Sequence, residues 1–158
     1  MDCNYLGLPS ELVVFFTSML PVIELRGSIP LGIACGMHPV DAFTVSLLGN
    51  YIIIFPILYL LPWIVKIFKK IHPLLDKWLT KFLEKTQHKH SHKMEVYGAL
   101  ALILLVAVPL PGTGAWTGSI VSYIFGIPKY LSFIYILLGL IIAGLIVSGI
   151  SFGFTKIV

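Results

Sequence analysis

Glu24 and Arg26 are the only charged residues in the apolar run from Leu12 to Met37. A charge on a helix at mid-bilayer costs roughly 2.5–3.5 kcal/mol on an insertion scale, so such residues usually mark a path for substrate or protons. An arginine keeps its charge and can grip a phosphate or carboxylate with two parallel donors. A buried glutamate is suited to taking up and releasing a proton. At i, i+2 the two point apart on a helix but share a side in an extended turn. The plainer alternative is a mutual ion pair that only holds the turn together.

The second constellation is Pro109-Leu-Pro111-Gly112-Thr113-Gly114-Ala-Trp116-Thr117-Gly118, with no ionisable group. Its glycines let backbone approach a ligand closely. Half-helices restarting after Arg26 and after Gly114 would aim N–H groups and positive dipole ends at one place. Ser28 and Thr113 or Thr117 are placed to cap them. The two turns together read as an anion-binding centre. Arg26, Ser28, Thr113, Gly114, Trp116 and Thr117 are the expected substrate contacts, and Glu24 the proton-coupling group. Pro21, Gly27, Pro30, Pro109, Pro111, Gly112 and Gly118 are expected to shape the hairpin tips. For the second turn, a tight structural hairpin is the competing interpretation. Two secondary candidates are Asn50, expected to bond across helices, and Asp41, expected to cap the first span.

The composition decides what positions these residues. Of 158 residues, 58% are hydrophobic and 11% charged, and the mean hydropathy is +0.96. Soluble domains carry roughly 25% charged residues, so this chain is expected to be an integral membrane protein rather than a disordered chain, a collagen, a nucleic-acid domain or a disulfide scaffold. Cys3 and Cys35 can pair once at most, and nothing in their context suggests that they do. The first twelve residues hold no Lys or Arg, so no secretory signal is expected. His88, His90 and His92 alternate as metal ligands can, but the flanking Lys89 and Lys93 repel cations and no carboxylate cluster completes a site, so neither metal nor cofactor is expected.

Eight of the 11 basic residues lie between positions 66 and 93. The positive-inside rule places that stretch in the cytoplasm. Within it, Leu74, Leu75, Trp78, Leu79, Phe82 and Leu83 recur at helical spacing opposite Lys77, Lys81 and Lys85, as in a helix lying on an anionic leaflet. Membrane lipids are the expected partners, and nucleic acid is not.

Hydrophobic blocks at 8–65 and 95–157 flank this linker at 66–94, making one membrane domain over 1–158. Val40–Val65 and Tyr130–Phe154 are long enough to span. Pro56 and Pro62 are candidate kinks, and Tyr59, Trp63 and Trp78 fit an interfacial belt. The earlier part of each block is too short on either side of its turn: Leu12–Leu20 then a stretch to Met37, and Val96–Val108 then a stretch to Phe125. Each fits a re-entrant hairpin. Pro21 answers Pro109, Gly36–Pro39 answers Gly126–Pro128, and Gly49 answers Gly139. The expected fold is an all-α integral membrane protein with an inverted-topology repeat. Each repeat is a re-entrant helical hairpin plus a transmembrane helix, with a cytoplasmic amphipathic helix between them. Four full spans with both ends cytoplasmic obey the same charge rule but put Glu24 and Arg26 in the middle of a span.

The motifs Glu24-Leu-Arg-Gly-Ser-Ile-Pro30 and Pro109–Gly118 resemble the small multidrug export protein family over essentially the whole chain. That family is similar to the DedA (VTT-domain) membrane proteins. The resemblance implies two opposed re-entrant hairpins and movement of lipids such as undecaprenyl phosphate, or drug export by the family's name. Unlike DedA proteins, this chain has no arginine in its second half. The leading expectation is an inner (plasma) membrane transporter that moves an anionic amphiphile such as a polyprenyl phosphate, coupled to protons. The alternatives are a proton-coupled exporter of cationic drugs and a non-transporting membrane scaffold. Enzyme activity is not expected: Cys35 and His38 put a thiol near an imidazole, without a third group or oxyanion donor. A homodimer is expected, with small-residue faces at Gly139/Ala143, Gly144/Ser148 and Gly149/Gly153.

Overall fold

The computed structural model describes residues 8–71, 92–110 and 112–157. Among them are seven helical segments and no strand: α1 Ser10–Ser18, α2 Glu24–Ala34, α3 Pro39–Ile52, α4 Ile54–Ile71, α5 His92–Ala107, α6 Ala115–Ile124 and α7 Lys129–Ile157. The expected amphipathic helix with Trp78, Lys77, Lys81 and Lys85, the histidines His88 and His90, and Pro111 lie outside the described residues.

Two helices are long and apolar enough to cross a membrane, Pro39–Ile67 with 29 residues and Lys129–Gly153 with 25. The first breaks register at Ile53, between α3 and α4. Pro56 has no N–H to give the carbonyl of Ile52, and the bonds Ile53 N–H to Gly49 and Ile57 N–H to Ile53 stretch to 3.3 Å around the break. Pro62 sits inside α4 without ending it.

The remaining helices are short. α1 has 9 residues, α2 has 11 and α6 has 10. At about 1.5 Å per residue none spans a hydrocarbon core of roughly 30 Å. α1 and α2 fold back on each other through the turn at 19–23, so that a Cβ on Gly32 would meet Val14 at 3.2 Å. α5 and α6 do the same, and a Cβ on Gly118 would meet Val106 at 2.7 Å. α2 also packs on α3 and α7, and α6 on α4 and α7.

Local structure recurs between the halves. α2 ends with Gly36 N–H bonded to Ile33 and Met37 N–H to Gly32, both at 3.0 Å. α6 ends with Gly126 N–H bonded to Tyr123 (3.1 Å) and Ile127 N–H to Ser122 (2.9 Å), the same closure 90 residues on. Both glycines have positive φ, 83° and 67°, which is why glycine stands at each C′ position. Gly49 and Gly139 make a second recurrent contact. A Cβ on Gly49 would meet Ser18 and, at 2.5 Å, the carbonyl oxygen of Phe15; one on Gly139 would meet Val106 at 2.6 Å and the carbonyl oxygen of Ile103 at 3.0 Å. Each short first helix therefore lies directly on the following long helix. Gly49→Ala is expected to destabilise by about 1–3 kcal/mol through overpacking against backbone. Gly98→Ala, where an added Cβ meets nothing within 4 Å, is expected to gain up to about 1 kcal/mol from helix propensity. Thermal unfolding of the two variants in detergent, followed by circular dichroism, checks both.

Two clusters form the interior: Ile54, Leu58, Leu102, Val106, Ala115, Ile136 and Leu140, and Leu25, Ile29, Ala143 and Val147. The exterior is apolar as well, with Phe16, Leu104, Leu138 and Leu145 exposed, a surface suited to acyl chains rather than water. Of the expected dimer-forming glycines, Gly139 and Gly144 are consumed inside the chain, Gly144 by Phe43 and Leu25, whereas Gly149 and Gly153 face open space. Cys35 is disulfide-bonded, contrary to the expectation from sequence context, so its thiol is not available to His38.

Candidate functional site

The two turns meet. Tip one is the turn at 19–23 that ends in Glu24 and Arg26, and tip two is the segment from Val108 to Gly114. Glu24 and Arg26 attract each other electrostatically, and each also engages the opposite tip. Both stand on the first turn of α2, where i, i+2 residues point to different sides, and both reach tip two.

Arg26 is half-buried. Its Nη2 donates to Thr113 Oγ1 (2.8 Å) and to the carbonyl of Val108 (3.0 Å), with a longer contact to the carbonyl of Val106 at 3.5 Å. Nη1 and Nε take no part in these bonds. Thr113 Oγ1 in turn shares its proton between the carbonyls of Val108 (2.8 Å) and Leu110 (2.9 Å). The threonine closes tip two and presents its lone pair to the guanidinium. Pro30, inside α2 rather than at a tip, withholds an amide from the carbonyl of Arg26.

Glu24 is buried, and its carboxylate lies against Gly114 so closely that a Cβ there would occupy the same space. Oε1 accepts from the backbone N–H of Trp116 at 3.4 Å. α6 has Gly114 at its N-cap and no side-chain cap of its own, so Glu24 supplies, from the other hairpin, the negative charge that a helix N-terminus favours. The backbone of Glu24 has φ +46°, a conformation that costs a non-glycine residue roughly 1–3 kcal/mol and recurs at functional sites.

Trp116 completes the exchange by donating Nε1–H to the carbonyl of Met19 at 3.0 Å. Arg26 and Trp116 stand 90 residues apart. Each donates to a carbonyl just past the end of the opposite hairpin's first helix, Val108 for one and Met19 for the other. This reciprocity was absent from the sequence reading. Its only trace there is that Arg26 and Trp116 follow their tip prolines at nearly equal distance.

Between the tips lies a cavity of about 440 Å³ lined by Pro21, Val22, Ile23, Glu24, Arg26, Gly27 and Gly112. Several expected roles are corrected. Ser28 does not cap α2; it is fully buried within the helix with no partner among the described residues. Thr113 and Thr117 do not cap α6 either, since Thr117 Oγ1 donates to the carbonyl of Gly112 and Thr113 braces the turn. Gly27 and Gly118 are helical rather than at tips, Gly118 packed on Val106; Pro21, Pro109 and Gly112 are in the turns. Among the described residues Asn50 makes no bond across helices. Asp41 is exposed in the first turn of α3, where the N-cap is His38, whose Nδ1 accepts from Val40 N–H at 3.4 Å. Asp41 still complements the helix dipole from that position. Among the described residues no group of His, Cys, Asp or Glu could hold a metal ion.

No curated protein and no solved structure matches the chain. A family model described as "Putative small multi-drug export protein" matches residues 24–146, from Glu24 through both tips into α7, and the chain belongs to that family.

Proposed function

We propose that the protein is a membrane transporter built as an inverted-topology repeat, in which α1–α2 and α5–α6 are re-entrant hairpins entering from opposite leaflets. One hairpin and one span per half leave each half with a single crossing, so the halves are inverted. The recurrence of C-terminal closures and glycine contacts supports the repeat. The lysine-rich linker sets the orientation, with 66–94 cytoplasmic. Lys129 sits 3.9 Å over the ring of Tyr59, at the end of each span that this orientation assigns to the cytoplasm. A disulfide at Cys35 suits the opposite, oxidising side.

The substrate is an anionic amphiphile such as a polyprenyl phosphate. The observation that carries this reading is the cavity between the tips, with Arg26 on its wall and the α6 N-terminus beside it held by Glu24. Arg26 spends one nitrogen on tip two and keeps the rest of its fork for an incoming phosphate. That phosphate competes with Glu24 for the helix N-terminus. Protonation of Glu24 removes the competing charge, so a proton and an anion bind together and leave together. In proteoliposomes, an imposed pH gradient is expected to speed translocation of a fluorescent long-chain isoprenyl phosphate at least 10-fold, and Glu24→Gln to lose that response. A wild-type rate equal to that of protein-free vesicles overturns the reading.

The family's description names multi-drug export, and a second reading that suits Glu24 is export of lipophilic cations bound by its carboxylate and released on its protonation. Arg26 on the same cavity wall opposes it, and ethidium efflux from the same vesicles separates the two. A homodimer, if formed, has Gly149 and Gly153 left for its seam.

A further inference from the structure

The packing node between α1, α2 and α3 is polar where its counterpart is apolar. In the second half, Val106, Gly118 and Ile136 meet: a Cβ on Gly118 would lie 2.7 Å from Val106 and 3.4 Å from Ile136. Leu140 joins the same cluster. Ninety residues earlier, Gly118, Ile136 and Leu140 become Ser28, Ser46 and Asn50. Val106, by way of the Gly49/Gly139 contacts, becomes Ser18. All four are fully buried.

Their levels agree without the comparison. A Cβ on Gly32 would meet Ala42 at 2.8 Å and Val14 at 3.2 Å. α2 runs antiparallel to α1 and α3, so one turn deeper brings Ser28, Ser46 and Ser18 to a common level. A further turn along α3 is Asn50, and a further turn back along α2 is Glu24.

The hydrogen-bond accounting separates these groups from ordinary helix serines. Ser119, Ser122 and Ser132 close on carbonyls of their own or the preceding turn at 2.6, 2.9 and 3.1 Å, and Ser18 does so to Phe15 at 2.7 Å. Ser28 Oγ, Ser46 Oγ and both amide atoms of Asn50 have no partner among the described residues, and outside the node Ser148 Oγ is in the same position. A buried polar group left so costs free energy that the apolar set in the other half avoids. A cation could use the oxygens but not the Asn50 NH₂ or the hydroxyl protons, and the four node residues include no carboxylate to neutralise it. Water satisfies donors and acceptors alike. Three of the four side chains are smaller than their counterparts in the other half, in the direction that favours a small polar guest such as water.

We propose that this node is a buried water site and that its water carries protons to Glu24 on the α3 side, away from the cavity on the Arg26–Gly27 side. The second half of that statement rests on Glu24 as the proton-coupling group. The first does not.

The test replaces three of the four node residues with those of the other half, Ser28→Gly, Ser46→Ile and Asn50→Leu together. Water-edited NMR of the wild-type protein in nanodiscs, with selectively labelled asparagine, is expected to transfer magnetisation from water to the Asn50 NH₂ as fast as to surface amides. A dry Asn50 overturns the site. Infrared spectroscopy after a switch to D₂O then follows the Glu24 carboxylic-acid band, identified by its loss in Glu24→Gln. Deuteration is expected to slow at least 10-fold in the triple variant, and an unchanged rate overturns the proton path. If Asn50 is wet but no Glu24 acid band appears at any pH, proton coupling through Glu24 and the path to it both fail while the water site stands. The single variant Asn50→Leu repeats the measurement should the triple one fold poorly.

Discussion

Arg26→Ala is expected to cut translocation of the isoprenyl phosphate probe roughly 100-fold, the equivalent of about 2.7 kcal/mol and within reach of one or two lost charge-assisted bonds. The change removes two things at once: the cation on the cavity wall and the bridge from Nη2 to Thr113 and Val108. Thr113→Val separates them. It breaks the bridge at Thr113 and leaves the guanidinium in place, so it is expected to lower the unfolding temperature while keeping far more of the flux than Arg26→Ala. Arg26→Lys retains a charge without the fork, and should restore only part of the rate if the phosphate is held by two parallel donors. Flux in Arg26→Ala matching wild type would remove the anion site. Loss of flux in Thr113→Val equal to that in Arg26→Ala would reduce Arg26 to a brace.

Composition and periodicity carried the all-helical class and the two long apolar helices. Both long spans were legible because twenty or more apolar residues have few other uses, and the short–turn–short pattern was legible because half-length apolar stretches need shelter at both ends. The turns were also where Glu24 and Arg26 had to find shelter, since neither sits in hydrocarbon unaided, and both contact the opposite tip. Their partners were harder to foresee. Arg26 bonds a carbonyl of Val108 and Glu24 an amide of Trp116, and backbone groups carry no side-chain signature. Ser28 and Thr117 were misassigned as caps because a hydroxyl near a helix start resembles a cap until the start itself is known. Here Glu24 begins α2 two residues before Arg26, which puts Ser28 a full turn inside. Asn50 read as an interhelical bond because most buried amides find one; its amide atoms have no partner among the described residues.

Gly114→Ala is the most damaging single methyl that the site predicts. At φ 171° and ψ −153° its backbone is extended and suits any residue, so the effect is steric alone: the new Cβ lands on the Glu24 carboxylate. The carboxylate must leave, which strips the α6 N-terminus of its charge partner and displaces a buried ionisable group towards the apolar wall of the cavity. Destabilisation of about 2–3 kcal/mol is expected from overpacking and the lost pairing, together with loss of gradient-driven translocation. A double-mutant cycle gives the argument its sharpest form. Glu24→Gly removes the obstructing side chain and relaxes a residue held at φ +46°, so the pair Glu24→Gly with Gly114→Ala should be nearly as stable as Glu24→Gly alone. The coupling between the two sites is then 1 kcal/mol or more, the range found for residues in contact. Translocation should stay low in the double variant, because space has been restored but the proton carrier has not. Additive losses, with the double variant the least stable of the set, would mean that Glu24 does not lie against Gly114 in the membrane and that the two tips meet in some other way.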